Sequence, residues 1–591
     1  MKELRKFIAE HAMGLVFSVV VGTLCVLPQF LAPIALHGGY KGLEFLYIDD
    51  ELTYRSLIQE VLDGHYTTAS PHLYEYKDSP TIVYPTGVYF YALPAMLIGL
   101  LCVVVVAKFL FPAILFFLVY VLSRKLTGHS GRANIVNAVA TGLMVTLGLE
   151  LISVQYIKDL LTGGPHGLHL SLWTRLVNPV TGGLLLFGLF VSLWRVLELG
   201  KKRDIIISSI LVALTVGYFF SLALSLATIV SLATVYALQK KWIQVKRILW
   251  VLVLTLVLQS PYWYNAMHAL SGPEGTKLEG RNGMFFTHAP MLNKLLLATT
   301  IFFALSIAFA FWKKRKKRRI QKDIFSEHGN AFSFITALLL ASWMVFNEQV
   351  VTGREIWPYH FVQYTIPVCF VVSLATFYLI WRVECIRFWK GVMVIIIMLA
   401  LYSGITSAGS YIYRLDDFTK VQQSAHALEF LAAQPGKDCV VLVTDTDKTL
   451  ERLIPAYTRC DVYSTGYNFY GIPEDRIIHN YLLGLRMQGV TAENIDTYLD
   501  THDGEVRSLY YENWTQVFGH ERDEWLVGRM QEVRERYKEF LKGNLMQQLI
   551  KYRVDYIFSS DGLSQQILVQ LPNIAEMEVL NGVHVYAVSD N

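Results

Sequence analysis

Apolar runs of about 20 residues, the length that crosses the hydrocarbon core of a bilayer as a helix, recur through the first 411 residues of the chain. Short polar segments separate these runs. The pattern predicts eleven membrane-spanning helices, at 12–36, 103–123, 133–152, 179–199, 205–218, 219–238, 247–262, 291–312, 331–347, 362–381 and 391–411. The sequence therefore indicates a polytopic α-helical membrane protein with a membrane domain over 1–411.

Two apolar stretches allow more than one interpretation. The stretch between Arg203 and Gln239 has no turn signal stronger than Gly217, so it fits either one long tilted helix or a short hairpin. Basic residues flank both of its ends and are expected on one side of the membrane, which favours the hairpin. The apolar stretch 88–101 contains Pro94, and counting it as a span would reverse every later loop. We expect it to lie in the membrane interface or to re-enter partway.

Lys and Arg are distributed unevenly between the segments that join the predicted spans. With a cytoplasmic N-terminus, the inner segments carry 25 of these residues and the outer loops 37–86, 153–178, 263–294 and 348–361 carry 9. The positive-inside rule then places the basic block 313–319 in the cytoplasm, as a topology anchor and not as a nucleic-acid site. An odd number of spans places the C-terminal region outside the cytoplasmic membrane. The first apolar run is too long for a signal-peptide core and is expected to remain as an anchor.

The composition changes near residue 412, after which charged residues are frequent and apolar runs are short. This change predicts a soluble extracytoplasmic α/β domain over 412–591. Its predicted strands are 440–443, 461–463, 556–558, 576–580 and 584–588, and its predicted helices are 450–456 and much of 474–550. The last two strands flank Asn581-Gly582, a residue pair typical of a two-residue hairpin turn. Because an outer compartment permits oxidation, Cys439 and Cys460 form a hypothetical disulfide.

The segment Leu46–Gly87, which follows the first apolar run, is polar, acidic and rich in aromatic residues. Asp49, Asp50 and Glu51 open a short amphipathic helical pattern that ends at Gly64. A helix N-terminus favours carboxylates through its dipole. Such carboxylates act as a general base, hold a metal, or simply solvate a loop. The backbone of a helix start would position a base, which is the first requirement for proton transfer.

These residues resemble a known family. The sequence Asp50-Glu51-Leu52-Thr53-Tyr54, the helix to Gly64, the later Tyr74-Glu75-Tyr76-Lys77 and the prolines Pro80 and Pro85 are similar to the first outer loop of the GT-C glycosyltransferases. That family includes the protein O-mannosyltransferases and the lipid A aminoarabinose transferase. The resemblance implies a catalytic first outer loop over 37–102. It also implies inverting transfer of a sugar from a polyprenyl-phosphate carrier, within the membrane, to a glycan, lipid or protein acceptor.

By this resemblance Asp50 is the base that activates the acceptor, or it holds a divalent metal that does; no cofactor is certain. Asp49 takes the role if the register shifts by one, and Glu51 is expected to support it. Tyr54 is expected to contact the substrate. Family members often carry a second acidic residue in the next outer loop, where Asp159 is the first candidate, followed by Glu150. At the start of the next span Asn178 occupies a position where relatives carry a small acid or an amide, and Asn cannot act as a base.

The leaving phosphate of such a donor requires cations, and Arg suits phosphate through its bidentate fork. Arg354, followed by His360, is the first candidate, and the others in order are Arg281, Lys77 and Arg175. Anchoring at the membrane interface is the alternative role for all of these cations. The spacing of His166, His169 and His288 matches no metal motif. The triplet Asp445-Thr446-Asp447 is interpreted as a helix start and not as a nucleotide-sugar motif.

A transporter, such as a flippase for lipid-linked sugars, is the alternative function. Transporters place charged residues inside their spans and often show inverted repeats. The sequence shows almost no charge inside the predicted spans and no repeat, while its polar residues gather in the outer loops. These observations favour an enzyme. A purely structural scaffold would leave the acidic loop without a function.

Overall fold

The structure is a computed structural model that describes residues 2–589 except 47–48, 83, 129–130, 164–170, 273, 276–283, 317–326, 383–384, 435–437, 446–447, 467–470 and 511–522. The chain divides into two compact units. The first, the helical unit, comprises Met1–His37, Thr86–Tyr262 and Phe286–Leu415. The second, the α/β unit, comprises Gly38–Pro85, Trp263–Phe285 and Asp416–Asn591.

The helical unit consists mainly of apolar helices. Their bounds are Lys2–Val26, Pro28–Ala35, Thr86–Ile98, Leu100–Thr127, Arg132–Thr146, Val154–Thr162, Val180–Glu198, Lys202–Leu214, Phe219–Leu238, Trp242–Leu258, Lys294–Lys316, Gly329–Val345, Gln349–Thr352, Val362–Thr376 and Ile386–Gly409. The helix Ser260–Ser271 follows Trp242–Leu258 with a bend of 55°. Within the described part of the chain, seven helices are long and apolar enough to cross a membrane, or eight if this bent pair is one span. The prediction of a polytopic helical membrane protein is confirmed.

All eleven predicted spans coincide with helices, but three of these helices are short and belong neither to the seven long apolar helices nor to the bent pair. Arg132–Thr146, Lys202–Leu214 and Gly329–Val345 have 15, 13 and 17 residues, which is less than the about 20 residues of a typical span. The ambiguous stretch after Arg203 forms two helices, separated by a turn at Thr215–Gly217. The apolar stretch 88–101 forms the helix Thr86–Ile98, which ends where Gly99 adopts a φ of +82°.

The α/β unit contains a five-stranded mixed sheet. The chain has two short strands, β1 (Met284–Phe286) and β2 (Arg354–Ile356), and then the sheet strands β3 (Val440–Val443), β4 (Asp461–Val462), β5 (Tyr556–Ser559), β6 (Ile574–Leu580) and β7 (Val583–Val588). The strand order in the sheet is β4-β3-β5-β7-β6. Strands β4, β3 and β5 are parallel, and Val441 pairs with both Val462 and Tyr556. Strands β5, β7 and β6 are antiparallel.

Helices accompany this sheet, and the predicted strands and helices of the region are confirmed. The helices are Asp49–Asp63, Leu415–Gln423, Ala425–Ala432, Thr449–Tyr457, Glu474–Met487, Ile495–Thr501, Asp503–Leu509, Asp523–Phe540, Leu545–Leu549 and Gln565–Gln570. The closing hairpin turns at Asn581 and Gly582, whose φ angles of 50° and 90° suit a two-residue turn. Cys439 and Cys460 form the predicted disulfide. It joins the residues that precede β3 and β4, so it links the starts of two neighbouring strands.

The segment Gly38–Pro85, expected from the sequence as the first outer loop of the membrane domain, belongs to the α/β unit. Its apolar side chains Phe45, Leu57, Ile58 and Leu73 are buried. The helix Asp49–Asp63, hereafter the acidic helix, packs against Thr449–Tyr457 within this unit. Burial of this apolar face, and not chain order, therefore assigns the segment to the sheet domain.

Candidate functional site

The acidic helix begins at the predicted carboxylates. Asp49 is its first residue, although the Asp49 side chain lies outside the described part of the structure. The side chain of Asp50 is half-buried in the first turn, where the positive end of the helix dipole stabilises its carboxylate. The side chain of Tyr54, one turn later, is also half-buried. The helix thus holds the backbone of Asp50 in a defined position.

Glu51 and Arg55 fasten the acidic helix to the rest of the α/β unit. Glu51 is only 1% exposed and acts electrostatically on Tyr457, whose pKa is raised by burial and then by the carboxylates of Glu44 and Glu51. The Arg55 guanidinium donates to Glu44 and to the carbonyl of Ala456, and it lies 3.6 Å from the ring centroid of Tyr457. The supporting role of Glu51 in catalysis stays a prediction.

Lys77 lies in a buried ion-pair network. Its Nζ atom is 2.9 Å from a carboxylate oxygen of Glu60 and 3.0 Å from one of Asp461, and all three side chains are at most 5% exposed. Burial alone would lower the pKa of Lys77, but the carboxylates of Asp461 and Glu60 outweigh it and raise that pKa. The neighbouring His72 is neutral, because burial and then the charges of Arg452 and Lys77 lower its pKa to about 3. Lys77 therefore has a structural contact within the α/β unit.

Arg175 lies in the helical unit, at the end of a short segment that is fixed to the helix Arg132–Thr146. The indole Nε1 of Trp173 donates to the carbonyl of Val145 at 2.7 Å, and the Ser171 hydroxyl donates to the carbonyl of Thr146 at 3.2 Å. Two residues after Arg175, Val177 adopts a φ of +56°. This conformation is strained for a β-branched residue, and such strain is typical of functional sites.

The structure brings Arg175 near His360, which the sequence placed in a different loop. The guanidinium acts electrostatically on His360, on Tyr218 and on Tyr364. Burial lowers the pKa of Arg175, because removal from water disfavours the charged form. We refer to Arg175, Tyr218, His360 and Tyr364 as the arginine cluster.

Hydrogen bonds and ring contacts hold the other members of the arginine cluster. The Tyr218 hydroxyl donates to Gln363 at 3.0 Å, and the Tyr364 hydroxyl donates to the carbonyl of Pro179 at 2.9 Å. A Cβ atom at Gly182 would lie 2.1 Å from the Tyr364 hydroxyl oxygen. Only glycine at this position therefore leaves space for the Tyr364 hydroxyl. The His360 ring is 5.0 Å from the ring of Phe220. A half-buried cation among phenol hydroxyls and an imidazole has the chemistry to bind a phosphate group.

The loop that precedes His360 carries two carboxyl groups that sequence reasoning missed. Glu355 is fully buried, and burial together with the nearby Glu348 carboxylate raises its pKa to about 8. Burial raises the pKa of Glu348 to about 7. Glu355 therefore carries a proton at neutral pH, and two acids at 348 and 355 in one short loop were the available sequence signal. Trp357, in the same loop, adopts a strained φ of +32°.

The other predicted residues are more dispersed. The Arg354 side chain is exposed, with its guanidinium carbon 5.7 Å from the ring centroid of Phe286. The Asp159 carboxylate is half-exposed and accepts a hydrogen bond of 2.7 Å from Gln155 on its own helix. Asp445 accepts from the backbone and hydroxyl of Ser560, at 2.7 Å each. Of the other candidates, Glu150 and His288 are exposed and Asn178 is buried. Those that lie outside the described residues are Arg281, His166, His169, Thr446 and Asp447.

A further charged residue, Lys108, was not anticipated from the sequence. It belongs to the membrane-spanning helix Leu100–Thr127 and is only 3% exposed. A single Lys inside an otherwise apolar run was the available signal, since intramembrane charges generally mark functional sites. The described residues contain no group of three or more His, Cys, Asp or Glu side chains that could hold a metal ion.

Comparisons with known proteins give a weak structural likeness. A scan against protein-family models and a search of curated proteins gave no match. Among solved structures, the chain is similar to the archaeal oligosaccharyltransferase AglB from Archaeoglobus fulgidus, solved in complex with an inhibitory peptide and a dolichol-phosphate. The two share 12% identity with a TM-score of 0.42, over 98% of this chain and 74% of the other. At this level of similarity no residue role or ligand is transferred from AglB.

Proposed function

We propose that the protein is a membrane glycosyltransferase of the GT-C type, which moves a sugar from a polyprenyl-phosphate carrier to an acceptor outside the cytoplasm. The arginine cluster is the observation that carries this proposal. It combines a desolvated guanidinium, two phenols and an imidazole in a unit made of apolar helices. A donor with a lipid chain and a phosphate group requires both an apolar environment and such a cation.

In the proposed reaction the acceptor hydroxyl attacks the anomeric carbon of the sugar. The bond from that carbon to the phosphate oxygen breaks, and the phosphate leaves with the electron pair on the lipid carrier. Arg175 stabilises the charge that develops on the leaving phosphate, as a preorganised cation in a desolvated site does. The hydroxyl proton passes to a carboxylate, and attack opposite the leaving group inverts the anomeric centre.

Asp50 is the proposed base, with Asp49 as the alternative. This assignment is supported by the position of Asp50 in the first turn of the acidic helix. Arg55 contacts Ala456 and Tyr457 of the helix Thr449–Tyr457, and Glu51 acts electrostatically on Tyr457. A base must be positioned before its pKa matters, and a fixed helix start positions it. A metal held by Asp50 remains the alternative way to activate the acceptor.

The test is sugar transfer in membranes that contain the wild type, Asp50→Asn or Asp49→Asn at matched expression. Donors are a panel of polyprenyl-phosphate-linked sugars, and the product is followed by mass spectrometry. Removal of the base is expected to lower turnover by about a hundredfold or more. Asp503→Asn is the matched control, because Asp503 is an exposed carboxylate of the same unit that pairs with Arg507. Wild-type turnover in both Asp50→Asn and Asp49→Asn would exclude the assigned base.

The flippase alternative gains one specific observation, the buried Lys108 inside a span, because transporters place charges there. Reconstituted vesicles distinguish the two functions. An enzyme releases polyprenyl phosphate and forms a glycosylated acceptor. A flippase moves the intact lipid-linked sugar between leaflets without forming either product.

A further inference from the structure

The α/β unit contains a cavity of about 420 Å³ at the amino ends of the three parallel strands β3, β4 and β5. We refer to it as the strand-start cavity. Its wall includes the disulfide between Cys439 and Cys460, which links two of those strand starts. The acidic helix and the end of the helix Ala425–Ala432 also line it. Its volume lies within the range of about 300–1,000 Å³ that small-molecule sites occupy.

A carboxylate of the wall is held in place by two donors. The Asp555 side chain accepts, through Oδ2, from the backbone amide of Val440 at 2.7 Å and from Nε of Arg553 at 3.0 Å. Arg553 is fixed in turn, because it also donates to the carbonyl of Asp438 at 2.7 Å. Within the described part of the chain, the second oxygen of Asp555, Oδ1, accepts no hydrogen bond. The wall therefore presents a positioned acceptor to a ligand.

Three other side chains of the wall have hydrogen-bonding groups left over. The half-buried Asp438 carboxylate makes no ion pair or hydrogen bond with a described residue. The Gln59 amide donates from Nε2 to Asp63 at 3.1 Å, which leaves its Oε1 as an acceptor. Nε of Arg459 lies 3.3 Å from Asp63, which leaves the two Nη groups of Arg459 as donors. Acceptors and donors thus line one cavity, on elements that the sheet and the disulfide hold together.

The charges in this wall select the kind of ligand. Two guanidinium groups, of Arg459 and Arg553, accompany two carboxylates, of Asp438 and Asp555. An anionic ligand would be repelled by the carboxylates and a cationic ligand by the guanidinium groups. A neutral ligand that is rich in hydroxyl groups matches the wall, because each hydroxyl both donates and accepts. The half-buried ring of Tyr556 adds apolar surface for the C–H groups of such a ligand.

We infer that the strand-start cavity is a binding site for a small neutral saccharide. Its hydroxyl groups donate to the carboxylates of Asp438 and Asp555 and to the Gln59 carbonyl, and they accept from Arg459. Hydrogen bonds of this kind, with one charged partner, are the stronger ones. The identification of this saccharide as the acceptor of sugar transfer rests on the proposed function.

Binding is measured by ligand-observed NMR titration of the full-length protein in nanodiscs. The neutral probes are maltose, mannobiose and N,N′-diacetylchitobiose, and the anionic probes are glucuronate and inorganic phosphate. Ala432→Trp places a large side chain at the cavity, because Ala432 lines it. This variant is expected to weaken binding of the neutral probes by about tenfold or more. Ala433→Trp is the matched control, since Ala433 is the next residue, is also exposed and is not among the described residues of the wall.

A second variant tests the hydrogen bonds without filling the cavity. Arg459→Met removes the Nη donors, and because the Arg459 side chain is 60% exposed, its pair with Asp63 contributes little to stability. It is also expected to weaken saccharide binding, and it replaces Ala432→Trp if that variant does not fold. The unfolding temperature of each variant is recorded beside its binding.

Three results would overturn the inference. One is a wild type that binds none of the neutral probes at about 10 mM. Another is binding of these probes within about twofold of the wild type in a folded Ala432→Trp variant, or in Arg459→Met where Ala432→Trp does not fold. The third is tighter binding of glucuronate or phosphate than of every neutral probe, which would contradict a neutral ligand.

These results are distinguishable from a failure of the proposed function. A wild type that binds a neutral saccharide at this cavity but transfers no sugar would overturn the glycosyltransferase and retain the saccharide site. A wild type that transfers sugar, with a folded Ala432→Trp variant that binds every probe as the wild type does, would overturn only the saccharide site.

Discussion

The α/β unit and the helical unit both withdraw cations from water, fully at Lys77 and partly at Arg175, but they surround these cations differently. In the α/β unit Lys77 lies within 3.0 Å of two carboxylates, and the Arg55 guanidinium is 2.5 Å from Glu44. In the helical unit the electrostatic neighbours of Arg175 include the phenols of Tyr218 and Tyr364, and its pKa is lowered. Carboxylates of the protein already stabilise the charged form of Lys77 and raise its pKa. Burial disfavours the charged form of Arg175, so an anionic ligand that binds there would stabilise that charge.

The largest expected effect tests the buried ion-pair network of Lys77 in the α/β unit. Lys77→Met leaves Glu60 and Asp461 as two buried carboxylates without their shared ammonium. Removal of one member of a buried ion pair lowers the free energy of unfolding by about 3–5 kcal/mol. Chemical denaturation, followed by tryptophan fluorescence, measures this loss. If Lys77→Met unfolds like the wild type but loses sugar transfer, Lys77 is a substrate ligand, as the resemblance implied.

The second effect tests the arginine cluster. Arg175→Met is expected to lower sugar transfer by about a hundredfold, the effect of removing one preorganised donor from a transition state. Its unfolding temperature should change little, because Arg175 is disfavoured in its charged form by burial. Arg195→Met is a control, since Arg195 pairs with Asp204 at 3.0 Å elsewhere in the helical unit. Equal activity in Arg175→Met and the wild type would show that Arg175 binds no anionic ligand, so it would not differ in function from the cations of the α/β unit.

The third effect concerns pH and Glu355. Its pKa of about 8 in the folded protein is raised above the ordinary value of 4.5. The folded state therefore binds the proton more tightly, so stability decreases as the pH rises from about 4.5 to about 8, by at most about 1.4 kcal/mol per pH unit. Gln mimics the protonated form and should remove this slope. Thermal unfolding between pH 5 and pH 9 should show equal stability at acid pH and a more stable Glu355→Gln variant at alkaline pH. Parallel curves for the two proteins would show that Glu355 titrates normally.

The smallest effect tests whether burial or the distance between the charges determines the strength of an ion pair. The Lys542–Glu539 pair has a separation of only 2.6 Å, but both side chains are more than 70% exposed. Water screens such pairs, so Lys542→Met should change the free energy of unfolding by less than about 1 kcal/mol. The same denaturation assay as for Lys77→Met applies. A loss as large as that of Lys77→Met would mean that burial is not what gives the Lys77 network its strength.

Much of the fold was predictable because its signals are local. Membrane spans follow from the apolar length that a bilayer requires, and all eleven predicted runs form helices. The turn at Asn581-Gly582 follows from the φ angles that these residues tolerate. The helix that starts at Asp49 follows from the acidic triplet and the apolar spacing of Leu57, Ile58 and Val61. The pairing of Cys439 with Cys460 was a hypothesis from compartment alone, and the structure confirms it.

The site depends on contacts between residues far apart in the chain. Lys77 was predicted as a phosphate ligand, and only folding places it beside Asp461, nearly 400 residues later. Arg175 and His360 were assigned to separate outer loops, and the packing of the helical unit brings them into electrostatic range. Lys108 is a single charge in an apolar run, and the Cys25 thiol on which it acts electrostatically comes from another helix.

The sequence by itself determined the membrane architecture, the topology signals and the sheet elements, because hydrophobic length, charge and turn chemistry act over a few neighbouring residues. Only the tertiary structure decided that carboxylates neutralise Lys77, and that Arg175 is removed from water among phenols. That distinction depends on the distance between charges and on their removal from water. Neither quantity is encoded in the spacing of residues along the chain.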